Sequence, residues 1–170
     1  MSFNVGRSSI GGNAGTYNAG VTGLGGPFVM PQDGVLQSAS VYISSASGSA
    51  FFLGVYDNTG AGASPGNLLA TSASAIDSTT GFVTLPMLTN PTILNGVSFN
   101  VAVLAPTVTI NGVFANTGEA FYFDSGGDSV LPAIYPGGTT FAAVGISIYA
   151  TFNPPSSATG PFVNVWLPRG

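Results

Sequence analysis

Cysteine and histidine are absent from this chain, and so is lysine: its two basic residues are Arg7 and Arg169. Without cysteine there are no disulfides, thiolate metal ligands or thiol nucleophiles, and the redox compartment is left open. Without histidine, lysine or cysteine a serine has no ordinary base to activate it, which in practice excludes the usual hydrolytic triads and dyads. Charge of either sign is scarce, at 5% of residues, against about 25% in an ordinary globular chain. A net charge of −4 is the opposite of what a phosphate backbone attracts, so nucleic-acid binding through a basic patch is excluded as well. Long apolar runs are also missing. The most apolar stretch, residues 141–152, falls short of the ~20 residues of a membrane-spanning helix, and no membrane insertion is expected. The first twenty residues carry glycine, asparagine and serine where a secretory leader would have a basic and then an apolar segment. The expectation is synthesis in a cytoplasm without a signal peptide.

Hydrophobic residues nevertheless make up 45% of the chain, and the mean hydropathy is +0.44, which excludes a disordered polymer. Its 170 residues suffice for one domain with a sizeable core. With so few charges, the surface must be built from Ser, Thr, Asn, Gly and apolar groups, and part of it is expected to be covered by partner subunits. Helical periodicity is absent. Short β-branched and aromatic runs divided by Gly, Pro, Asn and Asp predict an all-β, antiparallel, jelly-roll-type sandwich of about eight or nine strands. The expected strands are 35–43, 50–56, 68–72, 81–85, 97–104, 108–110, 113–114, 120–123 and 144–152. Pro86 ends the fourth of these, because proline cannot donate to a ladder. Val97, Phe99, Val101 and Val103 alternate with Ser98, Asn100 and Ala102, the mark of a half-buried strand. Asn111-Gly112 reads as a two-residue hairpin turn. The glycine-rich residues 1–27 read as an extended N-terminal arm with at most one short strand near 16–21. Residues 28–153 form the sandwich, and residues 154–170, rich in Pro and Ser, form a second arm.

Ser40-Val41-Tyr42-Ile43 and Leu53-Gly54-Val55-Tyr56, followed by Ser64-Pro65-Gly66-Asn67-Leu68-Leu69-Ala70, resemble a widespread group of jelly-roll modules. In those modules a strand ends in a GVY-like or ALY-like triplet, and a polar loop leads to a PG-x-LLA segment. The similarity continues through 81–85, the Leu94-Asn95-Gly96 turn and the closing Ile146-Ser147-Ile148-Tyr149-Ala150. It implies the sandwich over about residues 28–153. Members of the group resemble carbohydrate-binding modules, anchoring domains of surface proteins and virion components, so the resemblance carries fold and leaves function open.

Catalysis is not expected, and no catalytic residue is assigned. Asp57, Asp77, Glu119, Asp124 and Asp128 offer carboxylates for a glycosidase-type pair, but four of them fall in Gly/Ser/Thr-rich turns, where Asp is favoured as a cap of backbone donors. Asp124-Ser125-Gly126-Gly127-Asp128 is the best candidate for a Ca²⁺ loop, with Asp57-Asn58 behind it and an ordinary Asx-type turn as the competing account. No other cofactor is expected. Tyr17, Tyr122, Tyr135 and Trp166 fall outside clean strand alternation, as sugar-stacking platforms or interface anchors would. A C-terminal arm carrying Phe162, Val163, Val165, Trp166 and Leu167 calls for a groove. The leading expectation is therefore a structural protein of a phage virion, a capsid decoration (cement) protein or a tail or fibre component. It would be a homo-oligomer, with a trimer favoured, that contacts other virion proteins through its arms. The alternative is a carbohydrate-binding or adhesive module at an extracellular surface, with glycan as its partner.

Overall fold

Strands that are apolar on one side bury that side only by facing a second sheet, and the chain does so in a computed structural model that describes residues 1–17, 21–105, 110–115, 120–124, 126–142 and 144–156. Among these residues there are fifteen strands and no helix, so none is long and apolar enough to cross a membrane. Numbered along the chain, one sheet contains β1 (Phe3–Gly6), β2 (Asn13–Tyr17), β4 (Gly34–Ile43), β8 (Gly81–Pro86), β9 (Thr92–Ile93), β11 (Ile110–Ala115), β14 (Gly145–Ile146) and β15 (Ile148–Asn153). The other contains β3 (Val21–Val29), β5 (Ala50–Asp57), β6 (Leu68–Thr71), β7 (Ala75–Ile76), β10 (Ser98–Ala105), β12 (Ala120–Asp124) and β13 (Thr139–Ala142). In the first sheet β4 is flanked by β15 on one edge and by β8 and β9 on the other, and β1 lies outside β15. The second runs β13-β12-β3-β10-β5-β6. All pairings are antiparallel, as the all-β expectation required.

The core lies between the sheets. Leu36, Ala39, Val41 and Ile43 of β4 and Ile148, Ala150 and Phe152 of β15 face Phe51, Leu53 and Val55 of β5 and Phe99, Val101 and Val103 of β10, all buried. The rings of Phe99 and Phe152 meet edge-on with centroids 5.5 Å apart, and Phe3 stacks on Phe152 at 5.7 Å.

The structure corrects the reading of residues 1–27 as an arm. β1 pairs with β15 and β2 with β11, while β3 runs through the middle of the second sheet between β10 and β12. Glycine and proline hide this strand, because both weaken an ordinary central strand. Here the glycine has a steric reason: a Cβ on Gly25 would stand 2.9 Å from Ile146 Cγ1 and 2.9 Å from Ile148 Cγ2 of the facing sheet. Opposite Gly26 and Pro27 the β3–β10 ladder shifts register between Phe99 and Val101, so the bulge accommodates the missing donor. The Asn111-Gly112 hairpin is corrected too. Both residues lie inside β11, whose ladder to β2 runs unbroken from Ile110 to Phe114. Of the C-terminal arm, residues 154–156 carry no strand, and 157–170 lie outside the described residues.

One buried charge ties the sheets' connection together. The 44–49 segment carries the chain from β4 to β5, and the Asp77 carboxylate, fully buried, accepts hydrogen bonds from Ser47 N (3.2 Å), Ser47 Oγ (3.0 Å) and Ser49 N. Backbone bonds Asp77 N→Ser49 O (2.9 Å) and Gly48 N→Asp77 O (3.2 Å) complete the clamp. Replacing the carboxylate leaves the buried Ser49 N–H unsatisfied, at about 1–3 kcal/mol. Asp77→Ala is therefore expected to lower the unfolding free energy by about 2 kcal/mol in urea denaturation, and coincident wild-type and variant midpoints would refute this role.

Candidate functional site

The two outer faces of the sandwich have different fates. On the second sheet, Leu24, Ala102, Leu104, Tyr56 and Tyr122 point outward, yet all are buried. The cover is the segment 126–138, which crosses the sheet as a strap. Its Leu131 and Tyr135 join this second apolar cluster, and a Cβ on Gly54 would sit 2.5 Å from Leu131 Cδ1, so glycine makes room for the strap. Along β6 the strap is fastened by Leu68 N→Ala133 O (2.9 Å) and Tyr135 N→Gly66 O (2.8 Å), and Tyr56 donates its hydroxyl to Pro132 O (2.7 Å). The Tyr56 and Tyr135 rings meet edge-on at 6.2 Å. Burial, followed by the neighbouring carboxylates, raises the phenol pKa of both. Tyr122 and Tyr135 are thus 8% and 7% exposed. They are not open stacking platforms or interface anchors, because the strap that carries Tyr135 folds back over the face that carries Tyr122.

The acidic loops also separate in role. Asp57 is fully engaged within its own turn: Oδ1 accepts from Thr59 N (3.2 Å), Thr59 Oγ1 (2.7 Å) and Asn67 N (2.8 Å), and Oδ2 accepts from Asn67 Nδ2 (2.9 Å). Gly66 closes on the same carboxylate so tightly that a Cβ would stand 2.4 Å from Asp57 Oδ1. The Asp57-Asn58 candidate is therefore a structural turn, and the PG-x-LLA segment is its other half. Asp124 lies at the end of β12 beneath the strap, with Asp128 beside it. Burial and then the Asp128 charge raise the Asp124 carboxyl pKa, against the lowering effect of the Gly126 backbone N–H. Among the described residues no three His, Cys, Asp or Glu side chains converge on one point, so any ion held there would also need hydroxyl or backbone oxygens.

The first sheet carries no such strap over its aromatic residues among the described residues. Alternation in β4, β8 and β15 sends Tyr42, Phe82 and Tyr149 away from the core, and all three remain partly exposed. Tyr42 lies directly opposite Phe82 in the ladder, their rings edge-on at 5.4 Å. The Phe82 and Tyr149 rings meet at 5.3 Å, tilted by 57°, reaching across β4 from its two neighbours. Ser40, between those neighbours in the ladder, is fully buried beneath them, and its Oγ bonds Thr84 Oγ1 at 2.7 Å. Thr151 Oγ1 donates to Asn4 Oδ1 (2.9 Å) farther along the same face. The result is a continuous aromatic row on a field of hydroxyl and amide groups with no charged residue in the row, a surface suited to an uncharged ligand with both apolar and hydroxylated faces.

Of the site residues expected from the sequence, Tyr122 and Tyr135 lie on the other sheet and not in this row. Tyr17 pairs with Ile110 through its backbone in β2, and its side chain lies outside the described residues, as do Phe162, Val163, Val165, Trp166 and Leu167. The signal for the row was present: Tyr42 stands between core residues Val41 and Ile43, and Tyr149 between Ile148 and Ala150. Period-two alternation makes both outward-facing.

No protein-family model matches the chain, and no curated protein sequence does. Among solved structures it is similar to the clostridial cysteine protease Cwp84 after propeptide cleavage, at 14% identity and a TM-score of 0.57, over 90% of this chain and 40% of that one. It is also similar to a structure of the cysteine protease and lectin-like domains of Cwp84, a surface layer associated protein of Clostridium difficile. There the identity is 14% and the TM-score 0.50, over 84% of this chain and 36% of that one. The chain thus spans about two-fifths of the length of these structures. At this identity the likeness is one of fold.

The Asp57 turn has a pH signature. Burial alone would raise its pKa, but the hydrogen bonds from Asn67 and Thr59 together outweigh burial and hold it below the ordinary 3.8. A carboxyl with a lowered folded pKa contributes stability that is complete above its unfolded value and is lost as the pH falls through the folded one. Wild type is expected to be more stable than Asp57→Asn above about pH 4, with the gap closing in acid. Urea midpoints measured across that range test this, and a gap independent of pH would count against it.

Proposed function

We propose that the chain is a carbohydrate-binding or adhesive module acting at an extracellular surface, and that glycan docks on the outer face of the first sheet. The observation that carries this reading is the Tyr42–Phe82–Tyr149 row. A pyranose presents C–H groups on one face and hydroxyls at its rim. The rings offer the apolar contact, and Ser38, Thr84, Asn4 and Thr151 offer hydrogen-bonding partners beside them, without the desolvation cost of a charge. Binding rather than catalysis follows from the same chemistry, since the row contains no acid, base or nucleophile poised by a neighbour.

Fold kinship supports the reading in a coarse way. One similar structure is described as containing lectin-like domains of a surface layer associated protein, and neither of the two is described as a virion component. The virion-assembly reading also loses a premise, because the N-terminal segment on which it relied is built into both sheets.

A glycan microarray followed by calorimetry on the best ligand tests the proposal. Saturable binding is expected, with Tyr149→Ala and Phe82→Ala each weakening it at least about tenfold, or about 1.4 kcal/mol, while circular dichroism remains that of wild type. Tyr135→Phe, in the strap over the other sheet, is expected to bind as wild type does. An array without ligands, or a ligand indifferent to both substitutions in the row, would overturn the assignment.

A further inference from the structure

Buried polar atoms nearly always find partners, so the four that lack one among the described residues are informative: Thr22 Oγ1, Asn100 Oδ1, Asp124 Oδ2 and Tyr135 Oη. Asn100 Oδ1 stands apart beside Gly26. The other three gather on the outer face of the second sheet. Thr22 and Asp124 are direct cross-strand partners of β3 and β12, and their side chains share the face of Leu24 and Tyr122, next along the two strands. Opposite residues on one face bring Cβ atoms to about 5 Å. Thr22 is 0% exposed, so its hydroxyl shares the face of the Asp124 side chain with no access to bulk water. Tyr135 closes the group from the strap: a Cβ on Gly138 would lie 2.2 Å from Phe123 O and 2.9 Å from Tyr135 Oη, which places the phenol hydroxyl beside the residue that precedes Asp124. Gly126 lies against the Asp124 carboxylate, its Cβ position 3.2 Å from Oδ2, and Asp128, two residues farther along the strap, adds a second carboxylate.

Two carboxylates and two buried hydroxyls, with no cationic side chain beside them among the described residues, are an unbalanced set. Arg7, the one cationic side chain among the described residues, follows β1 in the other sheet. We propose that these residues form a site for a hard divalent cation of the Ca²⁺ class. Asp124 and Asp128 hold the ion, and the hydroxyls of Thr22 and Tyr135 complete the oxygen shell directly or through the ion's waters. The donor set is all oxygen, in a chain without histidine or cysteine, which disfavours Zn²⁺ and copper. Its irregular geometry suits Ca²⁺, which tolerates variable coordination, over Mg²⁺, which demands an octahedron. The ion fastens the strap, through Asp128, to the sheet, through Asp124. This site lies on the sheet opposite the aromatic row and does not depend on the glycan reading.

The test is calorimetric titration of the full chain, stripped with EDTA, with CaCl₂ and in parallel with MgCl₂ at constant ionic strength, together with thermal unfolding in each buffer. Saturable Ca²⁺ binding with a rise in Tm is expected, weaker with Mg²⁺. Asp128→Asn, a substitution on the exposed strap that does not threaten folding, is expected to weaken Ca²⁺ binding at least tenfold. Thr22→Val, nearly isosteric, is expected to weaken it while leaving the Tm in EDTA unchanged or higher, because it removes an unpartnered hydroxyl. Limited proteolysis within 126–138 should slow in Ca²⁺. Equal Tm in CaCl₂ and EDTA, as an ordered water in place of the ion would give, overturns the proposal. So does a Ca²⁺ response in Asp128→Asn equal to that of wild type.

Discussion

The close seating of the two sheets at β3 is the constraint on which the rest of the fold depends. Gly25 has no side chain, so Ile146 and Ile148 of the first sheet reach the backbone of the second. That approach lets Phe99 and Phe152 interlock nearby and leaves no gap to be filled by larger residues. The cost is a strand with weak intrinsic propensity at the centre of a sheet. It is offset because β10 and β12 pair with it on both edges, so its backbone groups are satisfied by the ladder even where its side chains contribute nothing.

A strand so poor in side chains also explains why the outer face of the second sheet needs a cover. Across β3, β10 and β5 that face offers Leu24, Ala102, Leu104 and the bare backbone of Gly54, an apolar surface too small to pack against another sheet and too large to leave wet. The strap supplies Leu131 and Tyr135 and is registered by backbone bonds at Gly66 and Leu68. Gly66 and the intervening Asn67 are in turn fixed by bonds to Asp57. The GVY triplet, the polar loop and the PG-x-LLA segment are therefore one mechanical unit: Tyr56 meets the strap, Asp57 closes the turn, and Gly66 to Leu68 receive the strap's edge.

What was legible in the sequence followed period-two alternation and turn chemistry. β5, β8 and β10 fall where apolar runs end at Asp or Pro, β4 where one ends at a serine pair, and the Asn95-Gly96 turn is where the dipeptide puts it, with Gly96 at a φ of +78°. Illegible were the elements whose reason is tertiary. β3 looks like a linker because its glycines answer to Ile146 and Ile148, residues more than a hundred positions away. Asn111-Gly112 looks like a hairpin, yet pairing with β2 and a contact with Ile43 keep it extended. The aromatic residues divide for a related cause. Tyr122 and Tyr135 have irregular surroundings in the sequence, and an irregular segment can fold back as a cover. Tyr42 and Tyr149 sit in regular strands, where alternation turns them outward beside Phe82.

The two faces can be reasoned about together. Both carry tyrosines, and both are made of strands whose opposite sides form the same core. They differ in what lies above them among the described residues: one is closed by a strap that uses its own aromatic residue as a plug, and the other has an aromatic row whose rings pack on one another. A ring packed edge-on against its neighbours, as Phe82 is between Tyr42 and Tyr149, loses little conformational freedom on binding, because its rotamer is already set by the strand and by the adjacent rings. The row is thus preorganised without being buried. A fold nearly devoid of charge thus has one apolar face sealed by the strap and, among the described residues, a part-exposed aromatic row on the other.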